Sequence, residues 1–202
     1  ITWEAVRHAP EGGVWALAAA TSDGEALRQQ AERLPELERP HILIGDLTEL
    51  DTLFALRGEE DLKFDRILAR NPFTILDLRF TIEEAGKVIQ ERLLPDGRFC
   101  LIQTIPKHGQ RLYQLVDWSG ETKALAKKVA KAEEAIYADE SDSLVNWDES
   151  DVQAGLEAAG FTVALLQLDR EKGQRRLIKG HLERWFGEPG DSSPGTYGRR
   201  LR

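Results

Sequence analysis

Four short apolar runs, each separated from the next by a segment with helical features, constrain the fold of this 202-residue chain most strongly. Continuous apolar runs of this kind are typical of strands that are buried on both faces, as in parallel sheets. The helical segments between them supply the crossover connections that parallel strands need. The chain is therefore predicted to be an α/β protein with a doubly wound, mostly parallel sheet. The predicted strands are 14–19, 41–44, 64–69 and 99–104.

The stretch LLPDGRFCLIQTIP at residues 93–106 shows the alternation most clearly. Apolar residues with helical spacing run up to Leu93, and Pro95-Asp96-Gly97 is expected to break that helix before the next strand.

Near the start of the chain, Ser22 and Glu25 have the spacing of a capping box, which predicts that a helix begins there.

The pattern changes after residue 106. A helix is predicted over about 121–139, and Asp148 is predicted to cap another, with Trp147 and Val152 as its hydrophobic staple. Segments 161–168 and 174–179 are predicted to form an antiparallel hairpin. The predicted organisation is one domain over residues 1–187, followed by a tail at 188–202, rich in Gly, Pro and Ser, with little order.

Composition limits the classes of function. The chain is 41% hydrophobic and 31% charged, with a net charge of −8. An acidic chain has no long-range attraction to nucleic acid or anionic membranes, so neither is an expected direct partner. The single cysteine, Cys100, excludes an internal disulfide framework and favours a reducing cytoplasmic location. The sequence begins with residues typical of a helix interior and has no initial methionine. We therefore interpret the chain as a fragment of a longer polypeptide.

Charges on the predicted helix over 121–139 run against its dipole, with lysines first and acidic residues last. This pattern fits a solvated face with paired charges, or a helix that docks a partner or forms a lid. The four histidines and Cys100 have no metal-ligand spacing, so no metal is predicted. No nucleophilic triad or phosphate loop is found, and catalytic residues stay unassigned.

Several stretches resemble class I S-adenosylmethionine methyltransferases. FDRILARN at 64–71, followed by a helix and the 93–106 stretch, is similar to their fourth strand, its helix and their fifth strand, although Asp96 replaces a common glycine. ILIGDLTEL at 42–50 resembles their third strand and the acidic loop beside the adenine, and AAGFTVALL at 158–166 resembles the entry to their sixth strand. The resemblance covers roughly residues 1–187 and implies a Rossmann-like sheet whose first strand and glycine-rich turn precede residue 1.

The resemblance also implies a cofactor site for S-adenosylmethionine. Asp46 and Leu47 would lie beside the adenine, Asn71 would end the fourth strand at the crevice, and Asp23 is the acid nearest the ribose position. Each has a structural alternative: Asp46 as a turn residue or helix cap, Asp23 as a first-turn acid, and Asn71 as a strand exit held extended by Pro72.

A narrower resemblance concerns the partner. TWEAVRHAPEGGVWAL, QTIPKHGQRLYQLVD and LERWFG are similar to a bacterial group in which such a domain follows an AAA+ ATPase of the replication-associated recombination type. This implies an upstream ATPase region in the same polypeptide, and leaves a homo-oligomer open. Methyl transfer to an unknown acceptor and a non-catalytic, methyltransferase-like interaction module are both retained, whereas a free-standing dehydrogenase is the weakest alternative.

Overall fold

The computed structural model describes residues 1–9, 13–75, 82–139, 142, 145–170, 176–187 and 197–201. The chain divides into two compact units. The first contains residues 1–103 and 154–162, and the second contains residues 104–153 and 163–202. The predicted single domain over 1–187 stays a prediction, and residues 188–196 of the predicted tail lie outside the described ranges.

The first unit alternates helices and strands. The four strands lie at or close to the four apolar runs, and helices occupy the segments between them, so the chain is a mixed α/β protein. The elements are α1 (Thr2–His8), β1 (Trp15–Ala18), α2 (Thr21–Ala31), β2 (His41–Ile44), α3 (Leu50–Ala55), β3 (Phe64–Arg70), α4 (Ile82–Glu91) and β4 (Leu93–Ile102).

The strands form two parallel pairs. Strand β1 pairs with β2 from Trp15 opposite His41 to Ala18 opposite Ile44. Strand β3 pairs with β4, and the expected parallel pairing of short apolar strands is thus confirmed. Within the described residues, the two pairs are separate sheets of two strands each.

The Pro95-Asp96-Gly97 segment is part of β4 rather than a turn before it. Strand β4 begins at Leu93, directly after α4, and the register with β3 is irregular between Phe64 and Arg66. A Cβ atom on Gly97 would lie 3.0 Å from the Phe64 carbonyl oxygen. The extra residues are therefore accommodated as a bulge, for which a glycine beside the neighbouring backbone is well suited.

A small apolar core holds α1 and α2 against the first strand pair. Ala16, Ala31 and Ile42 are buried together, and Trp3 of α1 packs against them. Helix α2 approaches β2 closely at Gly24, where a Cβ atom would overlap the Ile44 side chain. The predicted capping box at Ser22 is wrong: α2 begins one residue earlier, at Thr21, with Ala20 as its cap and no side-chain cap bond.

Phe54 of α3 links the two strand pairs. Its ring centroid lies 5.3 Å from that of Trp15 in β1 and 5.9 Å from that of Phe64 in β3. The guanidinium of Arg92, which precedes β4, lies 4.9 Å from the centre of the Phe54 ring and also pairs with Asp51. The starting ends of β1 and β3 therefore share one buried aromatic contact.

The second unit is built from helices and short 3-10 turns in its described residues. The Asp148 carboxylate accepts a hydrogen bond from the Ser150 N–H, and the Asp148 N–H donates to the Asp151 carboxylate. These bonds confirm the predicted cap. Trp147 and Val152 are both buried, as a staple requires. The elements are the 3-10 turns Pro106–His108 and Leu112–Leu115, α5 (Lys123–Ala138), α6 (Glu149–Ala158), whose last residues belong to the first unit, α7 (Lys179–Phe186) and α8 (Tyr197–Arg200).

The predicted antiparallel hairpin is not formed by the described residues. Residues 161–170 and 176–178 contain no strand, and residues 171–175 lie outside the described ranges. A strand needs a neighbour for its backbone ladder, and the described part of these two segments forms no such ladder despite its apolar pattern. Leu165 is accordingly 81% exposed, and Ile178 is also exposed.

Two glycines allow α4 to approach the end of α6 within the first unit. A Cβ atom on Gly86 would lie 2.7 Å from the Cβ atom of Ala159, and one on Gly155 would lie 2.8 Å from Cγ2 of Ile82.

We expect Gly86→Ala to lower the free energy of unfolding by about 1–3 kcal/mol through overpacking, as measured by urea denaturation. Gly180→Ala in α7 is the control and should be neutral or stabilising, because an added Cβ would meet no atom of the described residues within 4 Å beyond its chain neighbours and its own helix backbone. A stable Gly86→Ala variant would contradict the close approach.

Candidate functional site

Asp46, the strongest candidate ligand from the sequence, caps the turn that follows β2. Its Oδ1 accepts the N–H of Thr48 at 2.9 Å, and its own N–H donates to Oε2 of Glu49 at 2.9 Å. This reciprocal pair is a capping box for the 3-10 turn Leu47–Glu49. The structural alternative is thus realised, while the second carboxylate oxygen stays on an exposed residue at the carboxyl end of a strand.

Leu47 opens that turn and is half-buried. The turn is tight because Gly45 has no side chain: a Cβ atom there would lie 2.9 Å from both Oε2 of Glu49 and Cδ1 of Leu53. The Gly-Asp-Leu sequence therefore holds Asp46 in a fixed position directly beyond β2. A fixed acceptor at a strand end is what a ligand-binding loop requires.

Asn71 leaves β3 in a conformation that the sequence did not predict. Its φ is 53°, and it is the one non-glycine residue of the described ranges with a positive φ. The predicted extended exit is wrong, because asparagine tolerates the left-handed region better than most residues and the chain turns sharply into Pro72–Ile75. Its N–H donates to the Ile102 carbonyl at 2.8 Å, which extends the ladder between β3 and β4.

Gln103, which follows β4, is a neighbour that sequence reasoning missed. Its Oε1 accepts the N–H of Phe73 at 3.3 Å, so it ties the end of β4 to the turn after Asn71. Nothing in the local pattern marks this residue, because the contact spans 30 positions along the chain. Asn71 and Gln103 therefore belong to one end of the β3–β4 pair.

Asp23 lies in the first turn of α2 and is exposed. A carboxylate there interacts favourably with the helix dipole, as the structural alternative states. The strand before it, β1, ends at Ala18, and Ala19 and Ala20 follow without an acid. The end of β1 is consequently the least equipped of the strand ends for binding hydroxyl groups.

Glu133 is a second residue that the sequence reasoning did not single out, and it is fully buried in the second unit. Its two carboxylate oxygens accept the backbone N–H groups of Leu112 and Tyr113 at 2.6 and 2.8 Å. It also hydrogen-bonds the Tyr197 hydroxyl, and burial together with this bond raises the pKa of that phenol. A signal existed: Glu133 lies four residues after Val129 and three before Ile136, on the apolar face of α5.

A mixed-charge cavity of about 370 Å³ lies beside this residue's helix, lined in part by Lys107, Arg111 and Tyr137. The Arg111 guanidinium lies 3.6 Å from the centre of the Tyr137 ring, and its Nε donates to Glu134 at 3.2 Å. Lys107 pairs with Asp148 at 2.9 Å. The cations here are balanced by carboxylates of their own unit, which explains the geometry without a ligand.

The ion pair at the start of α6 has a perturbed carboxylate. Hydrogen bonds from the Ser150 hydroxyl and from the Lys107 ammonium hold the pKa of Asp148 well below its usual range. The same contact raises the pKa of Lys107. Both groups are therefore charged at neutral pH, as a helix cap and its ion-pair partner require.

Within the described ranges, no group of three or more His, Cys, Asp or Glu side chains is placed to hold a metal ion. In the same part of the chain, no helix has the length and apolar character needed to cross a membrane. Comparison with models of protein families, with curated proteins and with solved structures finds no match to this chain.

Proposed function

We propose that this chain is part of an S-adenosylmethionine-dependent, methyltransferase-like domain in a polypeptide that also carries an AAA+ ATPase region. The methyl acceptor is not assigned. The proposal rests on the sequence resemblance, and one observation carries it further: two parallel strand pairs share Phe54 at their starting ends.

The shared contact at Phe54 allows one further strand between the two pairs. The ring centroids of Trp15 and Phe64 each lie within 6 Å of that of Phe54, so they are at most about 11 Å apart, and two strand spacings of about 4.8 Å fall within that limit. A doubly wound sheet has the strand order 3-2-1-4-5. If β1 to β4 are its second to fifth strands, β1–β2 and β3–β4 are the expected neighbours, and the first strand would lie between β1 and β3.

The proposed cofactor site lies at the carboxyl ends of these strands, where doubly wound sheets bind ligands. Asp46 would accept a hydrogen bond from the adenine amino group through the oxygen that does not cap the turn. Asn71, in its left-handed conformation, would border the crevice beyond β3. Methyl transfer depends mainly on the alignment of donor and acceptor, so it demands few catalytic side chains.

We expect Asp46→Ser to separate the cap from the ligand contact. Serine is a good cap, so stability should change by less than about 0.5 kcal/mol, whereas its short side chain would not reach the adenine. Affinity for S-adenosylmethionine should fall about 10- to 100-fold, the value of a hydrogen bond to a charged group. Calorimetry on a longer polypeptide that includes the segment before residue 1 measures the dissociation constants of S-adenosylmethionine for the parent and for the Asp46→Ser variant.

Asp61→Ser, which removes an exposed loop carboxylate from the same unit, is the control and should leave the affinity unchanged. Equal affinities of the Asp46→Ser variant and the parent would remove Asp46 from the site. The absence of any heat with the parent at millimolar cofactor would remove the enzymatic proposal itself.

A non-catalytic interaction module is the second candidate. The end of β1, which has three alanines and no acid where a ribose would need an acceptor, favours it. This candidate predicts no binding of S-adenosylmethionine and an effect of the domain on the assembly of the attached ATPase. Size-exclusion chromatography with light scattering, with and without this domain, distinguishes it from the first.

A further inference from the structure

The first unit contains a second cavity at the opposite end of the strands from the proposed cofactor site. It has a volume of about 360 Å³ and is formed by the end of α2, the start of β2 and the segment after α3. Its lining includes three arginines, Arg28, Arg39 and Arg57, together with His41 and one carboxylate, Glu32. In a chain with a net charge of −8, this is a local excess of positive charge.

Two of the guanidinium groups are held in place by the backbone. Arg39 donates from Nε to the Leu34 carbonyl at 3.0 Å and from Nη2 to the Glu32 carbonyl at 3.3 Å. Arg57 donates from Nη2 to the Ile42 carbonyl at 2.9 Å. A guanidinium has five N–H groups, so these bonds fix its position and leave further donors for a ligand.

An aromatic pair lies beside the arginines. His41 stacks on Trp15 with 4.3 Å between ring centroids and 16° between planes, and the Arg57 guanidinium lies 5.7 Å from the Trp15 ring centre. His41 is nevertheless exposed. One face of the imidazole is covered by the indole, so the exposed part of its ring is available to a planar ligand group.

We infer that this cavity, which we call the arginine cavity, binds a phosphate group of a small molecule. Guanidinium forks match the planar arrangement of two phosphate oxygens and bind them through charge-assisted hydrogen bonds. The volume is suited to a phosphate monoester of modest size. The inference does not depend on S-adenosylmethionine binding, because it concerns other residues at the other end of the strands.

The test uses the full 202-residue chain and three probes: inorganic phosphate, pyrophosphate and AMP. NMR titration at low salt should give saturable shifts of the His41 ring signals and of the arginine Nε–Hε signals of the cavity. Tighter binding of AMP than of inorganic phosphate would identify a nucleotide that stacks on His41, whereas equal binding would identify a free phosphate group. The inference is overturned if none of the three probes gives shifts that saturate by about 10 mM, since an open site is expected to bind at about millimolar concentration.

Arg28→Gln and Arg33→Gln form a matched pair. Both remove one positive charge near the end of α2, both parent side chains are exposed, and Arg28 lines the cavity whereas Arg33 is not among its lining residues. Arg28→Gln should weaken phosphate binding about 5- to 10-fold, and Arg33→Gln less than about twofold. Equal weakening by the two substitutions would show a general charge effect and overturn the site.

Discussion

Replacing Phe54 with alanine is expected to lower the free energy of unfolding of the first unit by about 3–5 kcal/mol, the largest effect predicted for this chain. The side chain is 1% exposed. It contacts Trp15 on one side and Phe64 on the other, and the Arg92 guanidinium packs on its ring. Truncation would leave a cavity where β1 and β3 meet α3, and the two strand pairs would lose their shared contact.

Urea denaturation measures the loss, and native-state hydrogen exchange of amides in β1 and β3 locates it. Leu56→Ala is the control, because Leu56 is two residues away and 79% exposed, and its change should stay within about 0.5 kcal/mol. Similar losses in the two variants, or unchanged exchange protection of β1 and β3 in Phe54→Ala, would contradict the link between the pairs.

Glu133→Ala is expected to lower the stability of the second unit by about 2–4 kcal/mol, because two backbone donors would lose their acceptor. The N–H groups of Leu112 and Tyr113 point at the two carboxylate oxygens of this fully buried side chain. The Tyr197 hydroxyl would also lose its partner. Glu133→Gln, which keeps an acceptor oxygen but not the charge, should have an intermediate effect.

Glu134→Ala is the matched control at the next position. Its side chain is half exposed, and its bonds to Arg111 and to the Tyr113 hydroxyl are surface contacts, so the expected loss is at most about 1 kcal/mol. Hydrogen exchange of the Leu112 and Tyr113 amides should rise in the Glu133 variants alone. A Glu133→Ala variant as stable as Glu134→Ala would show that the buried carboxylate does not hold the 3-10 turn.

Local sequence features predicted much of the first unit. Apolar runs predicted the positions of the four strands, although β4 begins six residues before its predicted start. The expected burial on both faces is wrong for β3 and β4, whose residues are exposed or half-buried. The cap at Asp148 was also predicted correctly, since an N-cap and its hydrophobic staple are contacts within a few residues. By contrast, the predicted cap at Ser22 was wrong, because its spacing alone does not decide where the first turn closes.

The candidate site was predicted less well than the strands. Asp46 and Leu47 lie at a strand end as expected, but the sequence is compatible with a cap or a ligand at Asp46, and only the bond from Thr48 shows that it caps the turn. The left-handed exit at Asn71 opposes the local bias set by Pro72. The contact of Gln103 with Phe73 and the arginine cavity both bring together residues that are far apart in the chain, so no local sequence pattern predicts them.

By itself, the sequence determined the alternation of strands and helices and the parallel direction of neighbouring strands, because hydrophobic periodicity and crossover length are local properties. The tertiary structure alone decided which strands pair, that Phe54 joins the two pairs, and that Glu133 is buried. It also decided that residues 161–170 form no strand, despite their apolar pattern. The physical reason is shared: a ladder, a buried carboxylate and an aromatic contact each require a partner that folding brings from elsewhere in the chain.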